Sequence, residues 1–273
     1  MNQIRIKWIF VVLFLFINLF LGHLLYQSYR QETGISEKAI QHTVSVLSKK
    51  NVLVDQSLIP RRNQKMREVS VKNIVEDSSS FVAALKESGW EMGTSAFQRN
   101  DETITFSDGR FEYTGKLPLE EGLSGEALSN AVQKKLKELC LDLDGMKLKT
   151  IEQMDKGMRL EFVQTYEGYE IFGTQLLVEV KGATIVSVSG IWLESMNIQS
   201  KRQDTLFATE ALIRFAEEKK SAAAVRITEI RSGYYISEFD ENVSHKVMQM
   251  LPGFQITIAS GTKYYYDARS PQQ

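Results

Sequence analysis

The sequence predicts an α+β protein: one N-terminal transmembrane helix, then an extracytoplasmic region of helices laid on antiparallel sheets. Three observations predict it. Residues Trp8–Tyr26, WIFVVLFLFINLFLGHLLY, form an apolar run without Asp, Glu, Lys or Arg. The chain beyond it is rich in alternating polar and apolar runs divided by glycine-containing turns. An amphipathic helix followed by such a meander occurs twice, about eighty residues apart, which reads as two similar units.

The apolar run comes first. Nineteen residues rising about 1.5 Å each span a hydrocarbon core of about 30 Å. Fourteen of the nineteen are Leu, Ile, Val or Phe. At about −0.3 to −0.6 kcal/mol each near the bilayer centre, they outweigh the neutral polar Asn18 and His23. Trp8 and Tyr26 stand at the two ends, where amphipathic rings sit at headgroup level. Arg5 and Lys7 are the nearest cations, so the amino terminus stays cytoplasmic and the C-terminal region is extracellular. The run ends GHLLYQSYRQETG, bulky where a signal-peptidase site needs small residues, so a retained anchor is expected over a cleaved signal. Trp8, Phe14, Asn18, Gly22 and Tyr26 are the candidates for anchoring and helix–helix contact, with Asn18 as the polar group.

Charge and cysteine usage narrow the rest. With 33 basic and 34 acidic residues the charges cancel, which removes any compositional reason to expect a nucleic-acid partner. Aromatics at 10% and only four prolines favour a packed core over a disordered stalk. Cys140 is the only cysteine, so no intramolecular disulfide forms. Its place beside Leu139 and Leu141 reads as a buried small hydrophobe.

In chain order, residues 1–7 are a cytoplasmic lead and 8–26 the membrane helix. Residues 27–115 hold a juxtamembrane helix and an N-terminal α+β part. Ser36 is the expected N-cap of the helix carrying Ile35, Ala39, Ile40, Thr43, Val44 and Leu47. Pro60–Arg67 follows, with Arg61, Arg62, Lys65 and Arg67 as four cations in eight residues. Such a run reads either as a solvated loop or as a contact for an anionic wall polymer or an acidic partner face. Val69–Val75 reads as a strand and Ser80–Gly89 as a helix. Asp108-Gly109 between alternating runs predicts a hairpin.

Residues 116–194 are the first helix-plus-meander unit. Ser124 is the expected cap of a helix running to about Leu141. Strands are predicted at Met146–Met154, Met158–Tyr166, Phe172–Val180 and Thr184–Leu193. Residues 195–273 are the second unit. Its helix, Thr205–Lys219, places Ala208, Ala211, Leu212 and Phe215 on one face. Five short strands follow: Val225–Arg231, Tyr234–Ser237, Lys246–Met250, Phe254–Ala259 and Lys263–Ala268.

No catalytic constellation emerges from the motifs. His23, His42 and His245 are not paired by spacing and do not form a metal-binding HExxH pattern. Ser260-Gly-Thr-Lys263 matches S-x-x-K but lies between two strand patterns, so a turn is expected there. Asp142-x-Asp144-Gly145 lacks the closing Glu of a calcium loop and reads as a helix end. Catalytic, cofactor and metal residues are therefore all expected to be absent.

Three stretches resemble one family. They are the opening IRIKWIFVVLFLFINLFLGHLLYQ, the central YEGYEIFGTQLLVEVKGATIVSVSGIWLE from Tyr166 to Glu194, and the tail GYYIS…LPGFQITIASGTKYYYDA. The chain resembles YycI, with the related YycH, the membrane-anchored accessory proteins of the WalK–WalR (YycG–YycF) two-component system of low-GC Gram-positive bacteria. The helix-plus-meander unit also resembles PepSY domains. Phe254 departs from the Trp common in related domains, a difference of packing. The resemblance implies no enzymatic activity and no cofactor. It implies a membrane complex with a YycH-like protein and a WalK/YycG-like sensor histidine kinase controlling cell-wall metabolism. The alternatives are an anchored PepSY-type module that binds or inhibits an extracellular protease or wall enzyme, and a wall hydrolase whose site no motif reveals.

Overall fold

Two antiparallel-rich sheets, each with a pair of helices on it, share one chain that crosses between them. The structure is a computed structural model and describes residues 8, 11–24, 34–75, 79–93, 96–139, 145–195, 201–219, 223–237 and 247–269. Residues 11–24 are helical and all exposed; among the described residues no helix is long and apolar enough to cross a membrane. Four helices follow: α1 (Glu37–Lys49), α2 (Ser80–Glu87), α3 (Gly125–Glu138) and α4 (Ala208–Glu218). The strands are β1 (Val52–Leu53), β2 (Lys65–Met66), β3 (Val69–Asn73), β4 (Glu91–Met92), β5 (Ala96–Arg99), β6 (Glu102–Ser107), β7 (Arg110–Pro118), β8 (Met146–Met154) and β9 (Gly157–Tyr166). They continue with β10 (Tyr169–Glu170), β11 (Gln175–Lys181), β12 (Thr184–Ile191), β13 (Leu193–Ser195), β14 (Gln203–Asp204), β15 (Val225–Ile236), β16 (Val247–Ile258) and β17 (Lys263–Asp267).

The larger sheet has nine strands in the order β10-β9-β11-β12-β7-β6-β5-β4, with β8 also on β9. Its hairpins follow local chemistry. Asp108 and Gly109 have φ of 49° and 70°, so both central residues of the β6–β7 turn are left-handed. That suits a two-residue turn whose twist matches the strands. The inner face buries Phe111, Tyr113, Phe162, Leu176, Val178 and Val188 against Phe81 and Leu85 of α2 and Leu128, Val132 and Leu136 of α3. Each such side chain contributes about 1.5–3 kcal/mol when removed from water. Helix α2 starts where Ser79 Oγ accepts from Val82 N at 3.1 Å.

The smaller sheet runs β1-β15-β16-β3-β13, with β17 also on β16; β1 pairs β15 in parallel and the other pairs are antiparallel. Ile40 and Leu47 of α1 and Ala211, Leu212 and Phe215 of α4 pack with Ile227, Ile230, Phe254 and Ile256. Ser36 caps α1 as expected, accepting from Ala39 N at 3.2 Å. A helix then a meander recurs, with α3 before β8–β9–β11–β12 and α4 before β15–β16–β17. The sheets draw strands from several stretches of chain: β4–β7 extend the first meander, whereas β3 joins the second.

Three expectations need correction. Ser124 sits at the α3 N-cap but its hydroxyl makes no capping bond. Helix α4 begins at Ala208, because Thr205 is held outside it: its N–H donates to Gln64 O at 2.8 Å and its Oγ1 accepts from Gln64 N at 2.9 Å. The five short strands expected after residue 225 are three, since β15 and β16 each run unbroken through a glycine. Gly233 and Gly253 lie opposite each other in that pair. Each falls in a gap between two of the expected strands, yet its purpose is space. A Cβ at Gly233 would lie 2.5 Å from both Glu170 O and the Phe172 ring, and one at Gly253 2.5 Å from the Tyr235 ring. Glycine inside a strand marks such a close approach.

Gly233→Ala therefore overpacks the contact with residues 170–172. We expect the full chain in detergent to lose about 1–3 kcal/mol in urea unfolding, with Gly261→Ala, in the exposed β16–β17 turn, as the comparison for backbone strain alone. An unchanged midpoint for Gly233→Ala would show that this approach is not tight.

Candidate interaction site

The β9–β10 hairpin leaves the larger sheet and lies against the smaller one. Its turn, Glu167-Gly168, has φ of 49° and 87°, and Tyr166 pairs with Tyr169 across it. Both tyrosine rings meet Tyr234 of β15 edge-on, with centroids 5.7 Å and 6.3 Å away. The chain then pairs with β15 itself: Ile171 bridges Tyr234, and Phe172 N donates to Tyr234 O at 2.7 Å. Met66, Val69, Val71, Ile171, Leu193, Tyr234, Met248 and Met250 form a third apolar cluster at this junction. Burial pushes the Tyr234 phenol up to about 12 and raises those of Tyr166 and Tyr169. All three rings therefore stay neutral at physiological pH.

Polar side chains complete the seam. Glu170 pairs with Arg231, whose guanidinium also donates to Gln255 and lies 5.6 Å from the Phe172 ring centre. Tyr169 OH donates to Gln64 Oε1 at 2.6 Å. Glu167 receives two arginines at 3.0 Å each, Arg67 and Arg202. Gln164, buried on β9, uses its carboxamide as a surrogate peptide group. Its Nε2 donates to Leu193 O at 2.6 Å and its Oε1 accepts from Leu193 N at 3.0 Å. This satisfies the edge of β13, which would otherwise bury an unpaired backbone. Trp192 alone separates β12 from β13, so one buried residue carries the chain between sheets; its C=O accepts from Ile74 N at 3.1 Å.

Beside the seam opens a cleft of about 430 Å³, with walls including Val71, Ile74, Phe81, Tyr166, Ile171, Trp192, Leu193 and Met250. Its carboxylates are Glu167 and Glu194. Glu194 accepts from Ser80 N at 3.0 Å, at the start of α2, and faces Lys72 Nζ at 3.5 Å. Both carboxylates are thus held by cations. The volume suits a small ligand or one anchoring side chain of a partner. No three His, Cys, Asp or Glu groups among the described residues converge to hold a metal ion.

The family model for YycI protein matches residues 30–269. The chain belongs to the YycI family. The YycI match takes in both sheets and the seam between them, and begins after the apolar run. The comparison with curated proteins returned no match. Among solved structures the chain is similar to an uncharacterized protein from Eubacterium rectale ATCC 33656, at 10% identity and a TM-score of 0.49, covering 81% of this chain and 89% of that one. It is also similar to YycH from Bacillus subtilis, at 11% identity and TM-score 0.45, covering 81% and 60%. A third is the Bacillus megaterium YpeB C-terminal domain, at 11% identity and TM-score 0.32, covering 87% and 95%.

Of the three stretches on which the sequence resembles YycI, Tyr166–Glu194 contains the hairpin turn, Ile171 and Phe172 of the seam, the tail contains Tyr234 and Gly253, and the opening lies before the matched residues. The other expected residues are placed as follows. Trp8, Phe14, Asn18 and Gly22 lie on the exposed N-terminal helix, while Tyr26, Cys140, His245 and Asp142–Asp144 lie outside the described residues. Asn18 Nδ2 donates to Phe14 O at 2.8 Å, one turn back. Arg61 pairs with Glu37 at 2.7 Å, Arg62 bridges Gly34, Lys65 lies in β2 and Arg67 meets Glu167. Gln164, Glu170, Arg202 and Arg231 went unnoticed in the sequence, because no local pattern shows a pairing between distant strands. The Ser260–Lys263 stretch is the β16–β17 turn, with Ser260 Oγ 2.9 Å from Thr262 Oγ1.

Gln164→Leu leaves the Leu193 N–H and C=O buried without partners. We expect a loss of about 1–3 kcal/mol per orphaned group, read as a lower urea midpoint with an unchanged slope. Equal stability would show that water replaces the carboxamide.

Proposed function

We propose that the protein is a non-enzymatic, membrane-anchored regulator that binds a WalK/YycG-like sensor histidine kinase together with a YycH-like partner. The family match over residues 30–269 carries this reading. The apolar run Trp8–Tyr26 supports it by supplying a segment long enough to meet a kinase's spanning helices. Lipid offers no hydrophobic drive between helices, so packing and polar groups decide such contacts. Asn18 uses one amide hydrogen on its own helix, which leaves its second N–H and its Oδ1 for a neighbour. The exported part contributes a two-sheet body whose seam ties it together. A regulator of this kind shifts a kinase by binding one of its states better, and a few kcal/mol suffice.

Crosslinking in intact membranes, followed by identification of the captured proteins, tests this. A histidine kinase and a second single-span protein are the expected captures, with Asn18→Leu lowering the yield of kinase crosslinks near the span. Capture of neither by the wild-type chain would overturn the proposal.

A further inference from the structure

The edges of the sheets are not treated alike. Strands β1, β4 and β10 have two residues each and β13 has three. The Gln164 carboxamide closes β13, and β10 runs on into the bridge with Tyr234. Strand β8 has nine residues, pairs only with β9 among the described residues, and is exposed throughout from Lys149 to Met154. An unpaired edge offers a row of N–H and C=O groups to another strand, and proteins guard such edges with lysines, prolines or bulges. Strand β8 has a bulge at Lys149, since Leu148 lies opposite Phe162 and Thr150 opposite Glu161. The bulge does not spoil the outer edge. Thr165 N donates to Gly145 O at 2.8 Å, which fixes the alternation along β9: Gly157, Arg159, Glu161, Val163 and Thr165 turn their backbone groups to β8. Their partners on β8 turn inward, so Met146, Leu148, Ile151 and Gln153 direct their N–H and C=O outward. Leu148 and Ile151 lie opposite Phe162 and Leu160, so the outward groups keep the ordinary spacing of a strand across the bulge.

The side chains of this edge complement themselves. Leu148 and Ile151 share the core side of the sheet with their partners Phe162 and Leu160, and Lys147 and Glu152 share the other side. Lys147 and Glu152 are exposed and make no ion pair among the described residues, whereas Lys149 is held by Glu161 and Arg159 by Glu179, each at 2.9 Å. We infer that β8 docks against β8 of a second copy of this chain, antiparallel about a two-fold axis at the bulge, joining two nine-stranded sheets into one. In this register Leu148 meets Ile151 of the second copy, Met146 meets Gln153 and Lys147 meets Glu152, each contact occurring twice. The first two pairs exchange backbone hydrogen bonds through the outward groups. Lys147 and Glu152 fall at the positions between them, where the Cα atoms of opposite residues come to about 4.5 Å and opposite charges interact most closely. A shift by one pair of residues in either direction sets Lys147 against Lys149 or against Met154, so charge selects the register. The contact is separate from the seam, and it does not depend on the kinase-regulator reading.

Sedimentation of the full chain in density-matched detergent, with amide hydrogen exchange read residue by residue at low and high protein concentration, tests the inference. A reversible dimer is expected. As it fills, the amides of Leu148, Ile151 and Gln153 should exchange several-fold more slowly, while those of the short edges β1 and β4 do not change. Lys147→Glu, which touches no bond between β8 and β9, should raise the dissociation constant at least several-fold by setting like charges opposite each other. Lys147→Glu combined with Glu152→Lys should restore dimerisation, because the pair re-forms with its signs exchanged. A chain that stays monomeric at every concentration would overturn the inference. A dimer whose β8 amides exchange freely would also overturn it, in favour of a contact through the apolar run or another surface. So would a dimer indifferent to Lys147→Glu, or a double variant no tighter than the single one.

Discussion

The close approach of residues 170–172 to β15 is the constraint on which the rest of the structure depends. It is possible because Gly233 has no side chain where Glu170 O and the Phe172 ring arrive. Once they are in place, Ile171 pairs with Tyr234, Arg231 closes on Glu170, and the tyrosines of the hairpin turn stack edge-on against Tyr234. The third apolar cluster gains Ile171, and the partly buried Tyr166 and Tyr169, from this approach, beside Val71, Leu193, Tyr234 and Met250 of the smaller sheet. Gln164, whose backbone C=O accepts from Ile171 N at 2.8 Å, and Trp192 extend the seam, one by imitating a peptide group and the other by carrying the chain across. Polar atoms buried in a seam are costly when unpaired, so its specificity resides in these few side chains.

Much of the fold was legible because it is local. The helices announced themselves through apolar spacing, with Ser36 as a cap, and the hairpins through Asp108-Gly109 and Glu167-Gly168. What stayed hidden is long-range. The strands are expected to break at Gly233 and Gly253, and the reason they do not appears only with the neighbours from β10 and β15. Ser124 has the right place but makes no capping bond, and Thr205 is claimed by Gln64 before it can begin a helix. The basic run at Arg61–Arg67 was visible, but the pairing of its Lys65 and Met66 with Asp204 and Gln203 was not, since strand pairing over such a separation leaves no local periodicity. Gln164 was hidden for the same reason, a polar residue in a strand whose partner lies in another sheet.

In the role proposed above, a regulator tethered by one helix would influence a neighbour through the contacts of that helix and through the face its exported part presents. A seam that holds two sheets together would let a contact on either sheet bear on the same tether. Loosely joined sheets would dissipate that coupling in their own relative motion, because a shift in population requires a state-dependent contact to be felt at the other site.

Scanning calorimetry of the full chain in detergent tests the central claim, that the seam makes the two sheets one cooperative unit. A single transition with equal calorimetric and van't Hoff enthalpies is expected. Two resolved transitions, or a calorimetric enthalpy well above the van't Hoff value, would contradict it.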